Sequence, residues 1–163
     1  MAVQLPLDRT DLRLLTLLQR RGRATNADIA AEVNLSPSAC LRRIQRLEAA
    51  GVIRGYGAVV EPKAVGLGLQ AFVRVQLEKH GQLGLDRFIE GVNQWDEVVA
   101  CHALTGDMDY LLHVVVQDLE HFSEFLLDKL INATGVADVN SSFVLRTVKR
   151  TGALPLGHLA AAS

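Results

Sequence analysis

Three helix-start signals follow one another at Asp8, Thr25 and Ser36, a spacing that leaves room only for three short helices. Asp8 is a good N-cap and leads into Leu12, Leu14, Leu15 and Leu18 at helical spacing, which predicts a first helix ending near Gly22. Thr25 with Asp28 three residues on resembles a capping box, with Asp in place of the longer Glu, and the short helix it opens runs through Ile29, Ala30 and Val33. Asn34 stops it, because Asn tolerates the left-handed conformation that ends helices. Ser36-Pro37 is the clearest of the three starts. The hydroxyl caps, and proline occupies the first helical position, where a missing N–H costs nothing. Leu41, Ile44 and Leu47 are the predicted buried stripe of this third helix, and Gly51 supplies the stop. Helix, short helix, tight turn at Asn34-Leu35, helix is the helix-turn-helix layout, whose last helix lies in a DNA major groove.

The charge distribution agrees with that layout. The chain has 163 residues and a net charge of −1, but residues 1–60 hold nine Arg against five acids, or +4, and the remainder carries −5. A basic end joined to an acidic end points to two domains with different partners. Arg42, Arg43 and Arg46 lie off the apolar stripe at spacings that let them share an exposed face, where guanidiniums bind phosphates or fork onto guanine edges. Ser36, Pro37 and Ser38 open the same helix, and its free N–H groups can meet a phosphate. Val52 to Val60 reads as a short β ribbon, a wing. Within it Arg54 can reach the DNA backbone, while Tyr56 is equally readable as a core or hinge residue.

Glu61 to Leu69, with Pro62, Gly66 and Gly68, has no strong period and is the expected linker. After it the chain alternates. Ala71, Val73, Val75 and Leu77 mark a strand, Leu85, Phe88, Ile89 and Val92 a helix, and Val98–Leu104 and Tyr110–Val116 two strands around a Gly106-Asp107 turn. Asp118 caps a helix bearing Leu119, Phe122, Phe125, Leu126 and Leu130, and Val136 to Lys149 is the expected last strand. The β-α-β-β-α-β order predicts an α+β chain whose second domain is ferredoxin-like, a four-stranded antiparallel sheet with both helices on one face. The other face carries apolar residues as well, which sheet-to-sheet dimerisation would cover. The expected domains are 1–60 for the winged helix-turn-helix, 61–69 for the linker and 70–150 for a ligand-binding and oligomerisation domain. Residues 151–163 are expected to be a loose C-terminal tail.

Two stretches, Leu35-Ser36-Pro37-Ser38-Ala39-Cys40-Leu41-Arg42-Arg43-Ile44-Gln45-Arg46-Leu47-Glu48 with Gly51-Val52-Ile53-Arg54-Gly55-Tyr56, and Ala100-Cys101-His102-Ala103-Leu104-Thr105-Gly106-Asp107-Met108-Asp109-Tyr110-Leu111-Leu112, resemble the Lrp/AsnC (leucine-responsive, feast/famine) regulators. The resemblance runs from about Leu7 to Lys149 with the same domain order. It implies bacterial transcription regulation through double-stranded DNA in the cytoplasm, on the nucleoid. It also implies dimers that assemble into octamers, and an amino acid or related effector bound by the C-terminal domain to control amino-acid metabolism or transport genes. The ligand segment it implies is Thr105, Gly106, Asp107, Met108, Asp109 and Tyr110, with Ser141 on the last strand. Relatives often carry a pair of threonines on that strand. Here Val139 and Ser141 stand at those positions, and Val139 lacks the hydroxyl. The residues themselves allow the ligand reading, because Asp107 or Asp109 can hold an ammonium group and the glycine bares N–H groups for a carboxylate. They equally allow an ordinary hairpin turn with solvated acids.

Other readings stay in view. An architectural DNA-binding protein without small-molecule control fits the first domain equally well. An enzyme would draw on His102, Asp107, Asp109 and His113, but their spacing matches no familiar metal site, and no phosphate loop, nucleophile elbow or dinucleotide fingerprint occurs. The expectation is therefore no catalytic residue, no metal and no cofactor. Cys40 and Cys101 read as small buried apolar residues in a reducing compartment, and neither a signal peptide nor a membrane span is expected.

Overall fold

The computed structural model describes residues 5–78 and 82–160, and the last three positions of the expected tail lie outside them. Two compact units are formed. One, the reader, comprises the chain up to Val59 together with Lys149 onward, and the other spans Val60–Val148. The C-terminal segment, expected as a loose extension, thus packs with the reader.

In the reader, α1 (Arg9–Arg20), α2 (Asn26–Glu32) and α3 (Pro37–Ala49) begin at Asp8, Thr25 and Ser36, each of which caps its helix with a side-chain oxygen. Asp8 and Thr25 both form reciprocal capping boxes, with Asp11 and Asp28. Asn34 sits at φ 57°, so α2 ends through the left-handed residue that lets the chain turn sharply into α3. Leu14, Ile29, Ala30, Val33, Cys40 and Ile44 make the core where the three helices meet.

Two expectations are corrected here. Leu41 is 46 % exposed, and fully buried Cys40 takes its place in the stripe with Ile44 and Leu47. Both residues fit a helical period of about 3.6, and only the rotation of α3 against α1 and α2 chooses between them. The second correction concerns 54–60, which forms no strand. A strand needs a ladder partner, and none of the described residues pairs with this segment. Val59 is 92 % exposed, and the Tyr56 hydroxyl folds back to donate to Glu48 Oε1 at 2.8 Å.

The second unit begins with a short 3₁₀ turn, Pro62–Val65, and continues through β1 (Leu69–Leu77), α4 (Gln82–Gln94), β2 (Val98–Ala103), β3 (Tyr110–Val116), α5 (Leu119–Glu124) and β4 (Val136–Phe143). Helix α5 continues into a π-turn over Phe125–Leu130. Every strand pairing is antiparallel and the order is β2-β3-β1-β4, the ferredoxin-like arrangement. Alternation fixes the inner face. Ala71, Val73, Val75, Leu112, Val114 and Val116 are fully buried against Phe88 of α4 and Phe122 and Phe125 of the α5 segment. Leu119, at the start of α5, is 60 % exposed. β4 stops at Phe143, short of the expected Lys149. Its ladder with β1 ends there: Phe143 faces Ala71, and Val144 N–H makes a last bond to Gln70 O, one residue from the start of β1 at Leu69. A last short helix, α6 (Gly157–Ala160), lies in the C-terminal segment.

Candidate functional site

The outward face of α3 follows from the buried one. On a helix of about 3.6 residues per turn, Ser38, Arg42 and Ala49 project opposite Cys40, Ile44 and Leu47, with Gln45 beside them. Ser36, Pro37, Ser38 and Arg42 are all exposed, and Arg42 makes no ion pair among the described residues. Ser36 Oγ accepts from Ala39 N–H at 3.3 Å and meets Ser38 Oγ at 3.2 Å, so the first turn of α3 presents two hydroxyls beside its free N–H groups. The turn is held from behind by Asn26, whose amide donates to Pro37 O at 2.8 Å.

Arg43 and Arg46 are placed differently from Arg42. Both turn to the flank of α3 that faces α1, where Asp11 is completely buried. Arg43 Nη1 donates to Asp11 Oδ1 at 2.8 Å and to Asp8 Oδ2 at 2.7 Å, and Arg46 pairs with Asp11 Oδ2. These bonds hold the Arg43 guanidinium more firmly charged than usual, the Asp8 bond first and Asp11 second. The Asp8 carboxyl is lowered, chiefly by the Asp11 N–H it accepts and further by Arg43, against a desolvation cost. Arg43 and Arg46 keep 30 % and 43 % of their side chains in solvent, so each retains an open edge. Sequence spacing put the three arginines together. It carried no signal for Asp11, which as the N3 residue of a capping box reads as a purely local helix-start residue.

Arg54 is exposed on the extended segment after α3. Tyr56, whose hydroxyl is tied to Glu48, has its pKa pushed up to about 12, by burial first and by the Glu48 carboxylate second.

In the second unit a hollow of about 700 Å³ opens at the β2–β3 turn. Gly106, Asp107, Asp109 and Tyr110 line it, together with Gln76, Leu77, Glu78, Leu85, Ala103 and Leu104, which sequence reasoning did not single out. Their common origin is topological: antiparallel pairing brings the end of β1 beside the start of β3, since Val75 faces Tyr110. Thr105 and Met108 belong to the same turn but do not line the hollow. Ser141 lies farther off, on β4 opposite Val73, with β1 intervening between it and β3.

The two aspartates differ. Asp109 is built into the frame: Oδ2 accepts from Leu77 N–H at 2.7 Å, its N–H donates to Val75 O at 2.9 Å, and its carbonyl accepts from Leu104 N–H at 2.8 Å. Asp107 is exposed and has no hydrogen-bond or ion-pair partner among the described residues. Gly106 before it sits at φ 121°, which a side chain would strain. Among the described residues no Lys or Arg lines the hollow, and the charged side chains that do are Glu78, Asp107 and Asp109.

The groups an enzyme would use are scattered. His113 stacks on Phe72 at 4.8 Å between ring centres and approaches Gln70 Oε1 at 3.4 Å, whereas His102 is exposed on β2. Among the described residues no three His, Cys, Asp or Glu side chains gather as a metal site would need. Burial raises the thiol pKa of both Cys40 and Cys101, the opposite of an activated nucleophile.

Two family descriptions match the chain. Residues 7–54 match the winged helix-turn-helix DNA-binding family, and residues 70–154 the Lrp/AsnC ligand binding domain. This chain belongs to the Lrp/AsnC family. It is a DNA-binding transcription regulator of that type. Among curated relatives it is 33 % identical over 153 residues to the transcriptional regulator AzlB of Bacillus subtilis, covering 94 % of this chain and 98 % of the other. It is 37 % identical to the glutamate uptake regulatory protein of Zymomonas mobilis, covering 92 % and 91 %. The solved L-Met complex of a transcriptional regulator from Neisseria meningitidis superposes with a TM-score of 0.91 at 48 % identity, over 94 % of this chain and 99 % of that one. No described helix of this Lrp/AsnC regulator is long and apolar enough to cross a membrane.

Proposed function

We propose that this regulator reads DNA with the open face of α3 and is switched by an amino acid held at the hollow beside Asp107. The first turn of α3, with Ser36, Pro37 and Ser38, fixes a phosphate through hydroxyls and free N–H groups. Arg42 reaches the duplex from the centre of the face. Arg43 and Arg46 offer their open edges to the backbone from the flank, and Arg54 does so from the segment that follows.

The observation that carries the effector half is the Asp107 carboxylate, exposed and without a partner among the described residues, in a hollow also lined by Glu78 and Asp109. An ammonium group fits that lining, an apolar side chain fits Leu77, Leu85 and Leu104, and the carboxylate goes to N–H groups at the Thr105–Tyr110 turn. The L-Met complex of the Neisseria regulator and the name of the Zymomonas relative support an amino acid as the effector and amino-acid metabolism or transport as the controlled process. Self-association into dimers fits the open sheet face, where Phe72 remains 40 % exposed. Octamers of those dimers, acting in the cytoplasm on the nucleoid, complete the reading.

Calorimetry of the full chain against a panel of amino acids tests it. At least one binds, and Asp107→Asn weakens that binding about tenfold or more, as loss of a charged hydrogen bond does. DNA affinity without effector stays the same. No heat from any amino acid would refute the effector half and favour an architectural DNA binder.

A further inference from the structure

Gln19, near the end of α1, turns its carboxamide onto the backbone of Leu154, 135 residues away in the chain. Its Oε1 accepts from Leu154 N–H at 2.5 Å and its Nε2 donates to Leu154 O at 3.4 Å. One side-chain amide thus satisfies both backbone groups of a single residue, the same exchange that a neighbouring strand would make. The Leu154 side chain stays 70 % exposed, so its backbone makes the contact, while Leu156 is half-buried.

Two hollows flank this crossing. One of about 690 Å³ lies on the Leu12, Thr16 and Leu17 side of α1, and one of about 370 Å³ lies between Leu15, Leu18 and the 52–56 segment. Leu154 and Leu156 line both, so the segment lies across α1 like a strap and also borders the residues by which the chain leaves α3. The strap carries its own turns. Thr151 Oγ1 accepts from Ala153 N–H at 3.2 Å, and His158 Nδ1 meets Pro155 O at 3.2 Å. Pro155, with its fixed φ, lowers the entropy lost on docking.

We propose that the Gln19 face of α1 is a docking surface whose occupant is the chain's own segment 153–157, bound within the same molecule. The covalent path between the two units is then double. The chain leaves the reader at 59–60 and re-enters it at 148–149, a few residues after β4 ends at Phe143. A consequence, which rests on the effector reading above, is that a shift of β4 reaches the reader through the strap as well as through the linker.

Amide hydrogen exchange on the full chain tests the strap without any effector. Leu154 N–H exchanges about tenfold or more slowly than in a free peptide, as a locally docked segment does. Gln19→Ala removes both the acceptor for Leu154 N–H and the donor to Leu154 O, and it returns Leu154 to the free rate. A chain ending at Arg150 shows faster exchange across 52–56. Free-peptide exchange of Leu154 in the wild type, or protection unaltered by Gln19→Ala, would overturn the docking. Protection that appears only at concentrations where dimers form would overturn its placement within one molecule. For the consequence, Gln19→Ala leaves effector binding intact and cuts the effector-induced change in DNA affinity by about threefold or more. An undiminished response refutes the relay. A protected strap in a wild-type chain that answers to no amino acid would support the docking while removing the effector reading itself.

Discussion

Asp11→Asn separates the buried ion-pair cluster from every other feature of the reader. Asn matches Asp in size, so the core around fully buried position 11 keeps its shape, and only the charge is lost. In the native chain that carboxylate serves Arg43, Arg46 and the N–H of Asp8 at once. Removing one partner of a buried pair costs about 3–5 kcal/mol when the stranded charge cannot reach water. Here the stranded groups are arginines with 30 % and 43 % of their side chains in solvent, and Arg43 keeps Asp8. Much of the penalty is therefore relieved, and about 2 kcal/mol is expected. For a domain of this size, about 1 kcal/mol moves the melting temperature by roughly 4–8 °C, so the reader unit melts about 10 °C earlier.

The DNA readout moves separately from stability. Freed from Asp11, Arg43 and Arg46 sample many orientations. At a temperature where the variant is folded, affinity for unrelated DNA is unchanged or higher because a negative charge is gone, while the ratio of specific to nonspecific binding falls. Thermal denaturation and DNA titrations over a salt series read both quantities. A melting temperature within about 2 °C of the wild type, together with an unaltered specificity ratio, would refute the argument that Asp11 holds these arginines in place. Asp8→Ala is the contrast. It removes an exposed cap and one half-exposed pair, and costs about 1 kcal/mol.

Three further outcomes are expected. Arg42→Ala lowers the slope of log affinity against log salt by about one if the guanidinium lies on a phosphate, or relaxes one base position at a cost of about 1–3 kcal/mol if it reads guanine; no change in either measure removes Arg42 from the interface. Asp109→Asn keeps one oxygen for Leu77 N–H, so it leaves the melting temperature of the second unit nearly unchanged, whereas Asp109→Ala strands that N–H and costs about 1 kcal/mol, seen as a lower urea midpoint. Glu97 is nearly buried, and burial works to raise its pKa. The hydrogen bond from Lys129 at 2.7 Å, its backbone and His121 outweigh that and lower it below the usual 4.5. A carboxylate depressed in the folded state stabilises above its unfolded pKa and loses that contribution as pH falls through the folded one. The second unit therefore weakens below about pH 4.5, and Glu97→Gln flattens that part of the melting-temperature profile.

Local signals made much of this protein readable as a string of residues. Caps act over three residues, so Asp8, Thr25 and Ser36 announce their helices wherever the chain goes. Asn34 and Gly106 mark positive-φ positions for the same short-range reason. Strand alternation has a period of two, so Ala71, Val73 and Val75 name their buried face without knowing what covers it. The helix-turn-helix frame and the βαββαβ order followed from these features alone.

What tertiary structure decided was which of several equally local options became real. Leu41 and Cys40 both satisfy the helical period, and the docking angle of α3 sends Cys40 inward. Arg42 and Arg46 look alike in sequence, but an aspartate 35 positions from Arg46 claims it and leaves Arg42 open. β4 ends its ladder near the start of β1, the residues around Asp107 become a hollow only when β1 and β3 pair, and the C-terminal segment finds Gln19 across 135 residues. Each of these depends on loops being closed between distant residues. The driving force for that is burial and charge pairing summed over the whole fold, a quantity that no window of neighbouring residues contains.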